Sequence, residues 1–204
     1  DIPEAPFPWG AGDPHRDDSG DLDIHGPVRI VGDESTVLGL TTSSDLGIFE
    51  VRAGSLELDH LTVRPRRQST DLITTRSALV LRDVDLGGAA MRADGCVVVD
   101  AGTAVVERSA LSNCLMGVRA TGGATSIQSS TIADNGLAIW RQGGTVEVSD
   151  STMVNSYGII TSDPGSVVLR RSILRATEYV VCGTVPLTSD GHNLVSDASC
   201  GLTG

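Results

Sequence analysis

Residues 125–132, 146–153 and 167–174 read TSIQSSTI, VEVSDSTM and VVLRRSIL, one phrase at intervals of 21 residues. A period of this size marks stacked copies of a unit that cannot bury its apolar face alone. Extended along the chain, the phrase places an apolar residue at Leu58, Leu81, Val106, Ile127, Val148 and Leu169, with spacings of 23, 25, 21, 21 and 21. Two residues earlier stand Leu56, Leu79, Ala104, Thr125, Val146 and Val167. Three residues later stand Leu61, Val84, Ser109, Ser130, Ser151 and Ser172, and five later Val63, Leu86, Leu111, Ile132, Met153 and Leu174.

One unit can be read physically. The first two positions alternate inward as in a strand. Two outward residues then break the period of two, so the chain turns a corner before a second inward pair. A polar turn follows (RPRRQST, SNC, ADNG, VNS). A third apolar run comes next: FEV at 49–51, LIT at 72–74, VVV at 97–99, AIW at 138–140, GII at 158–160 and YVV at 179–181. Gly-bearing turns (RAGS, DAGT, TGGA, QGGT, DPGS) lead to the next unit. Three short strands per 21–25 residues predict an all-β fold, a right-handed single-stranded parallel β-helix of about seven coils. Leucine-rich repeats share the period, but their LxxLxLxxN phrase is absent. A β-sandwich would not keep such columns, and the Gly and β-branched content excludes helical repeats. The serines at 109, 130, 151 and 172 are expected to stack, satisfied by one another or by backbone groups.

The predicted organisation is an irregular arm over 1–20, coils over 21–181 with Ile24, Val28 and Ile30 inward, and a cap over 182–204 that leaves the coil pattern. Solenoid ends need such covers, because exposed strand edges aggregate. The four cysteines show no CxxC zinc spacing. Two disulfides in an oxidising compartment are expected, four buried thiols being the alternative. Cys182 and Cys200 bracket the tail, and Cys96 and Cys114 fall on adjacent coils, within bridging reach. Asp1 begins the chain without Met or a signal-like segment, which reads as a mature chain or an excised domain.

Two segments carry a resemblance. GDLDIHGPVRIVG at 20–32 resembles the segment that opens the coils in bacterial CSLREA-domain β-helix proteins, although the letters CSLREA do not occur. TSDGHNLVSDASCGLTG at 188–204 resembles the GxNLxsDxSC signature of the choice-of-anchor Q family, matched by Gly191, Asn193, Leu194, Ser196, Asp197, Ser199 and Cys200. The resemblance implies a secreted or surface-anchored bacterial β-helix protein. It carries no catalytic residues to transfer.

Charge narrows the partners. The net charge is −11, which argues against nucleic acid, since phosphate binding needs a basic face. No apolar run reaches the ~18–20 residues of a membrane span. All 15 basic residues are Arg, so a lysine base is excluded. The outward corner residues form one column of Asp59, Arg82, Glu107, Gln128, Ser149 and Arg170 and another of His60, Asp83, Arg108, Ser129, Asp150 and Arg171. Asp59–Arg82, Arg82–Glu107 and Asp83–Arg108 are expected to pair along the stack. A lyase-like acid–arginine groove is the rival reading. Glycoside hydrolysis needs two close carboxylates, and no such pair stands at a corner. GHN at 191–193 reads as part of the tail signature, not as a catalytic motif. Asp13, Asp17, Asp18, Asp21 and Asp23 are calcium candidates by ligand type, without a known loop spacing. Trp140 and Tyr157 are candidates for stacking on sugars. No catalytic residue is assigned.

The sequence therefore predicts a non-enzymatic extracellular module on a bacterial surface, structural, adhesive or assembling. Its partners would be extracellular or surface proteins, or glycans, within a larger complex. The alternative is a carbohydrate-active enzyme (polysaccharide lyase or glycoside hydrolase) or a glycan-binding β-helix.

Overall fold

The computed structural model describes residues 22–39, 47–65, 69–87, 93–162, 166–177, 181–182 and 187–201. The expected arm over 1–20 lies outside them. The described residues form a parallel β-helix of two sheets, one of seven strands and one of fourteen, with no helix. One sheet holds seven strands: Leu22–Ile24, Phe49–Val51, Ser69–Thr75, Ala93–Val99, Cys114–Ala120, Leu137–Arg141 and Gly158–Ser162. They bound six complete turns, slightly fewer than the seven coils expected. Five of these strands hold an apolar run picked out in the sequence, and Leu22–Ile24 holds Ile24, expected to point inward. The exception is Cys114–Ala120, whose run is broken by Gly117 and Arg119.

The fourteen-stranded sheet turns the corner. Ser55–Pro65 runs through it unbroken, and its first half pairs with Ala78–Arg82, its second with Asp85–Gly87. Later coils divide there, as in Thr145–Ser149 and Thr152–Ser156. The columns through Leu56, Leu58 and Val63 are in-register ladders. Leu58 pairs with Leu81, Val106 with Ile127, and Val148 with Leu169. On the other side of the corner Leu86, Leu111, Ile132, Met153 and Leu174 pair in succession. These side chains are buried and make the core together with the inward residues of the seven-stranded sheet.

The corner depends on backbone conformation. His60, Asp83, Arg108, Ser129, Asp150 and Arg171 all adopt φ between 45° and 58°. None is β-branched, as this left-handed conformation requires. Their amides continue the ladder: Arg108 N donates to Gln128 O and Asp150 N to Arg170 O. At the Gly-bearing turns Gly102, Gly123 and Gly144 also have positive φ, and a Cβ on Gly123 or Gly144 would strike the backbone of the preceding coil. Glycine is needed there on both counts.

The serine column is satisfied by backbone groups. Ser109 N donates to Ser130 Oγ and Ser130 N to Ser151 Oγ, both at 3.1 Å. Each hydroxyl in turn donates within its own coil, as Ser130 Oγ does to Gln128 O at 2.7 Å. A second polar ladder runs through the turn that read as variable. Asn135 is fully buried; its Oδ1 accepts from Cys114 N, and its Nδ2 donates to Leu111 O and Ala133 O.

Both expected disulfides are present, Cys96–Cys114 and Cys182–Cys200. The first joins neighbouring strands of the seven-stranded sheet. The second closes the C-terminal cap. This cap does not leave the ladder as the sequence suggested: Thr188–Ser189 pairs with Ser166–Arg170, and Leu194–Val195 with Ile173–Ala176. Polar Ser189 takes the place of Leu169, and one extra residue enters the corner. The column thus loses its apolar character at this rung.

Candidate functional site

The richest concentration of charged side chains follows the first corner. Arg29 meets Glu57 and Asp59. Arg82 meets Glu57 and Glu107, and Arg108 meets Glu107 and Asp83. Farther along, Arg171 holds Asp150 through two bonds of 2.6 Å, and Arg170 faces Asp190. The expected Arg82–Glu107 and Asp83–Arg108 pairs are thus formed. The Asp59–Arg82 pair is not. These two residues are in register, but Arg82 turns to Glu57 and Glu107, while Asp59 is taken by Arg29 and His60. A long guanidinium reaches diagonal as well as opposite neighbours, so register alone does not select its partner.

These pairings depress the carboxyl pKa values. A hydrogen bond from Arg29 holds Asp59 below the ordinary carboxylate range, and Arg108 does the same for Asp83 and Arg171 for Asp150. A base needs a pKa near its working pH. Asp59, Asp83 and Asp150 are moved the other way. They act as acceptors in a ladder that spans several coils.

His60 interrupts this ladder with an imidazole. Its Nδ1 lies 2.7 Å from Asp59 Oδ1, and its Nε2 lies 3.8 Å from Asp83 Oδ2. The ligand atoms of Asp59, His60 and Asp83 fall within 4.8 Å of one another. The sequence placed these residues in two separate columns and did not group them. Their meeting comes from the left-handed corner, which aims His60 between its own coil and the next.

A separate ion pair lies on the outer side of the seven-stranded sheet. Arg119 reaches past the strand between them to Asp71 at 2.9 Å, across Gly95, where a Cβ would crowd Asp71 Oδ1. Burial raises the Asp71 pKa, and the Arg119 charge opposes that rise.

The other sequence candidates are dispersed. Asp13, Asp17, Asp18 and Asp21 lie outside the described residues. Asp23, the remaining calcium candidate, pairs with Arg52 at 3.0 Å. Trp140 is half-buried and is in register with Arg119 and Thr161, whereas Tyr157 follows the strand Thr152–Ser156 and is 41% exposed. The two aromatics are not register partners.

The tail signature has a structural reading. Gly191 O accepts from Arg171 N, and His192 repeats the left-handed corner with φ 58°. Asn193 ends the serine ladder by accepting from Ser172 N and donating to Leu169 O. Asp197 accepts from Val181 N and Ser199 N, Ser199 Oγ accepts from Cys182 N, and Cys200 closes the disulfide. No family model, curated protein or solved structure matches the chain.

Proposed function

We propose that the chain is a non-enzymatic extracellular module of a bacterial surface, with a structural, adhesive or assembly role. The observation that carries this reading is the first-corner ladder. Glu57, Asp59, Asp83, Glu107 and Asp150 each face an arginine, and hydrogen bonds from arginine hold the carboxyls of Asp59, Asp83 and Asp150 below the ordinary range. Such a ladder fixes register between coils and leaves a long, regular surface. Two disulfides suit a compartment outside the cytoplasm. The tail's resemblance to the choice-of-anchor Q signature points to the same place. A glycan-binding role is the second reading, favoured by the exposed Tyr157 ring.

The test combines turnover and retention. The full chain is incubated with neutral and acidic polysaccharides while reducing ends and unsaturated uronates are measured, and its retention on bacterial envelope preparations is followed in parallel. Retention without turnover is expected. Turnover that disappears on replacing Asp83 or Glu107 would overturn the proposal in favour of an enzyme.

A further inference from the structure

We propose that Asp59, His60 and Asp83 form a binding site for a divalent transition-metal ion such as Zn2+, tying two successive coils together. Imidazole nitrogen and carboxylate oxygen are a donor set that zinc accepts. With metal–ligand bonds of ~2.0–2.1 Å, ligands in a tetrahedral site stand roughly 3.3 Å apart. One ligand atom from each of the three residues lies within 4.8 Å of the other two, and His60 Nδ1 is 2.7 Å from Asp59 Oδ1. The three groups must draw closer to hold one ion, and the His60 side chain is 60% exposed and able to turn.

The surroundings shape the site. Arg29 binds Asp59 Oδ2, leaving Oδ1 toward His60. Arg108 binds both oxygens of Asp83, yet each carboxylate oxygen has a second lone pair. The arginines therefore orient the carboxylates from behind, as groups beyond the ligands do in metal sites. Four acids (Glu57, Asp59, Asp83, Glu107) face three arginines (Arg29, Arg82, Arg108), so these charged side chains sum to −1 before a cation enters. The N-terminal side is also specific. The corner above is lengthened between Val31 and Ser35, and Gly32 lies against the His60 carbonyl, where a Cβ would collide.

The test titrates ZnCl2 into the full, disulfide-bonded chain, using calorimetry, thermal unfolding and the His60 imidazole 15N shifts. One ion per chain is expected at this site, with a raised Tm, a shift of one His60 nitrogen, and release on acidification as protons compete for the ligands. His60→Asn retains a residue that tolerates the left-handed conformation and should lower affinity at least ~10-fold. Asp83→Asn should weaken binding as well and is independent of any folding defect at position 60. His192→Asn, at the equivalent corner of the cap, should leave binding unchanged. No saturable uptake, uptake that survives His60→Asn, or uptake lost equally in His192→Asn would each overturn the proposal.

Discussion

Asn193 Oδ1 accepts the amide of Ser172 at 2.9 Å, and its Nδ2 donates to Leu169 O at 3.1 Å. The carboxamide thus takes over from the serine hydroxyls, each of which serves the coil before it. A hydroxyl could replace the acceptor but would not span the longer corner of the cap. Asn193→Ala should cost about 1–3 kcal/mol, since it leaves the Ser172 amide without its acceptor. Asn193→Asp keeps the acceptor and loses the donor, so it should cost less. Urea unfolding measures both, and exchange at the Ser172 amide should rise in the alanine variant. An unchanged midpoint would mean that the cap is held by its disulfide alone.

Inside the ladder the same chemistry is more enclosed. Ser130 is only 4% exposed; its Oγ accepts from Ser109 N and donates to Gln128 O. Ser130→Ala should destabilise by about 1–3 kcal/mol, because the Ser109 amide loses its acceptor in a buried site. Denaturant unfolding tests this, and a cost near zero would show that the rungs relax to pair with one another.

The contrast between columns explains what the sequence revealed. An inward residue such as Val148 is constrained by Ile127 on one side and Leu169 on the other, so its column stays apolar and is readable. The serines were readable for the same reason. Asn135 was not, because a polar residue in a polar turn looks solvated, although it is fully buried. The strand Cys114–Ala120 was missed because Gly117 and Arg119 interrupt its run, and only pairing with Ala93–Val99 reveals it. The outward residues lack this constraint. Register placed Asp59 beside Arg82, but long flexible side chains chose other partners, and the grouping around His60 depends on a corner conformation that no residue pattern states.

The columns can be challenged directly. Val148→Asp would put a carboxylate between two apolar rungs in a core position that is 1% exposed. Burying an unpaired charge costs several kcal/mol, so the variant should fail to fold or melt far below the wild type in circular dichroism. A mild effect would mean that position 148 can turn outward.

Acid should loosen the cap. Burial acts to raise the Asp197 pKa, but hydrogen bonds from Ser199 and from the Val181 amide outweigh it, so the folded value lies below the ordinary range. A depressed carboxyl stabilises the fold above its unfolded pKa of ~3.9, and this contribution is lost as pH falls through the lower folded value. Amide protection at Val181 and Ser199, followed by hydrogen exchange, should therefore hold at neutral pH and decline below about pH 4. Asp197→Asn keeps a single acceptor oxygen and should already lack part of this protection at neutral pH. Protection indifferent to both acid and substitution would remove Asp197 from the closure of the cap.

One rung departs from the rule that inward polar groups are satisfied. Thr125 stands in register between Ala104 and Val146, is 3% exposed, and its Oγ1 has no hydrogen-bond partner among the described residues. A buried hydroxyl without a partner has lost its water and gained nothing. Valine has nearly the same shape and replaces that hydroxyl with a methyl group, as Val146 already does in the next coil. Thr125→Val should therefore stabilise the protein by about 1–2 kcal/mol, with a higher urea midpoint and an unchanged slope. Destabilisation would show that the hydroxyl is bonded in solution, through a water or a shifted rotamer. The same substitution at Ser130 should destabilise, because that hydroxyl both accepts and donates. Opposite signs at two inward positions of neighbouring columns would separate rungs held by packing from rungs held by hydrogen bonds.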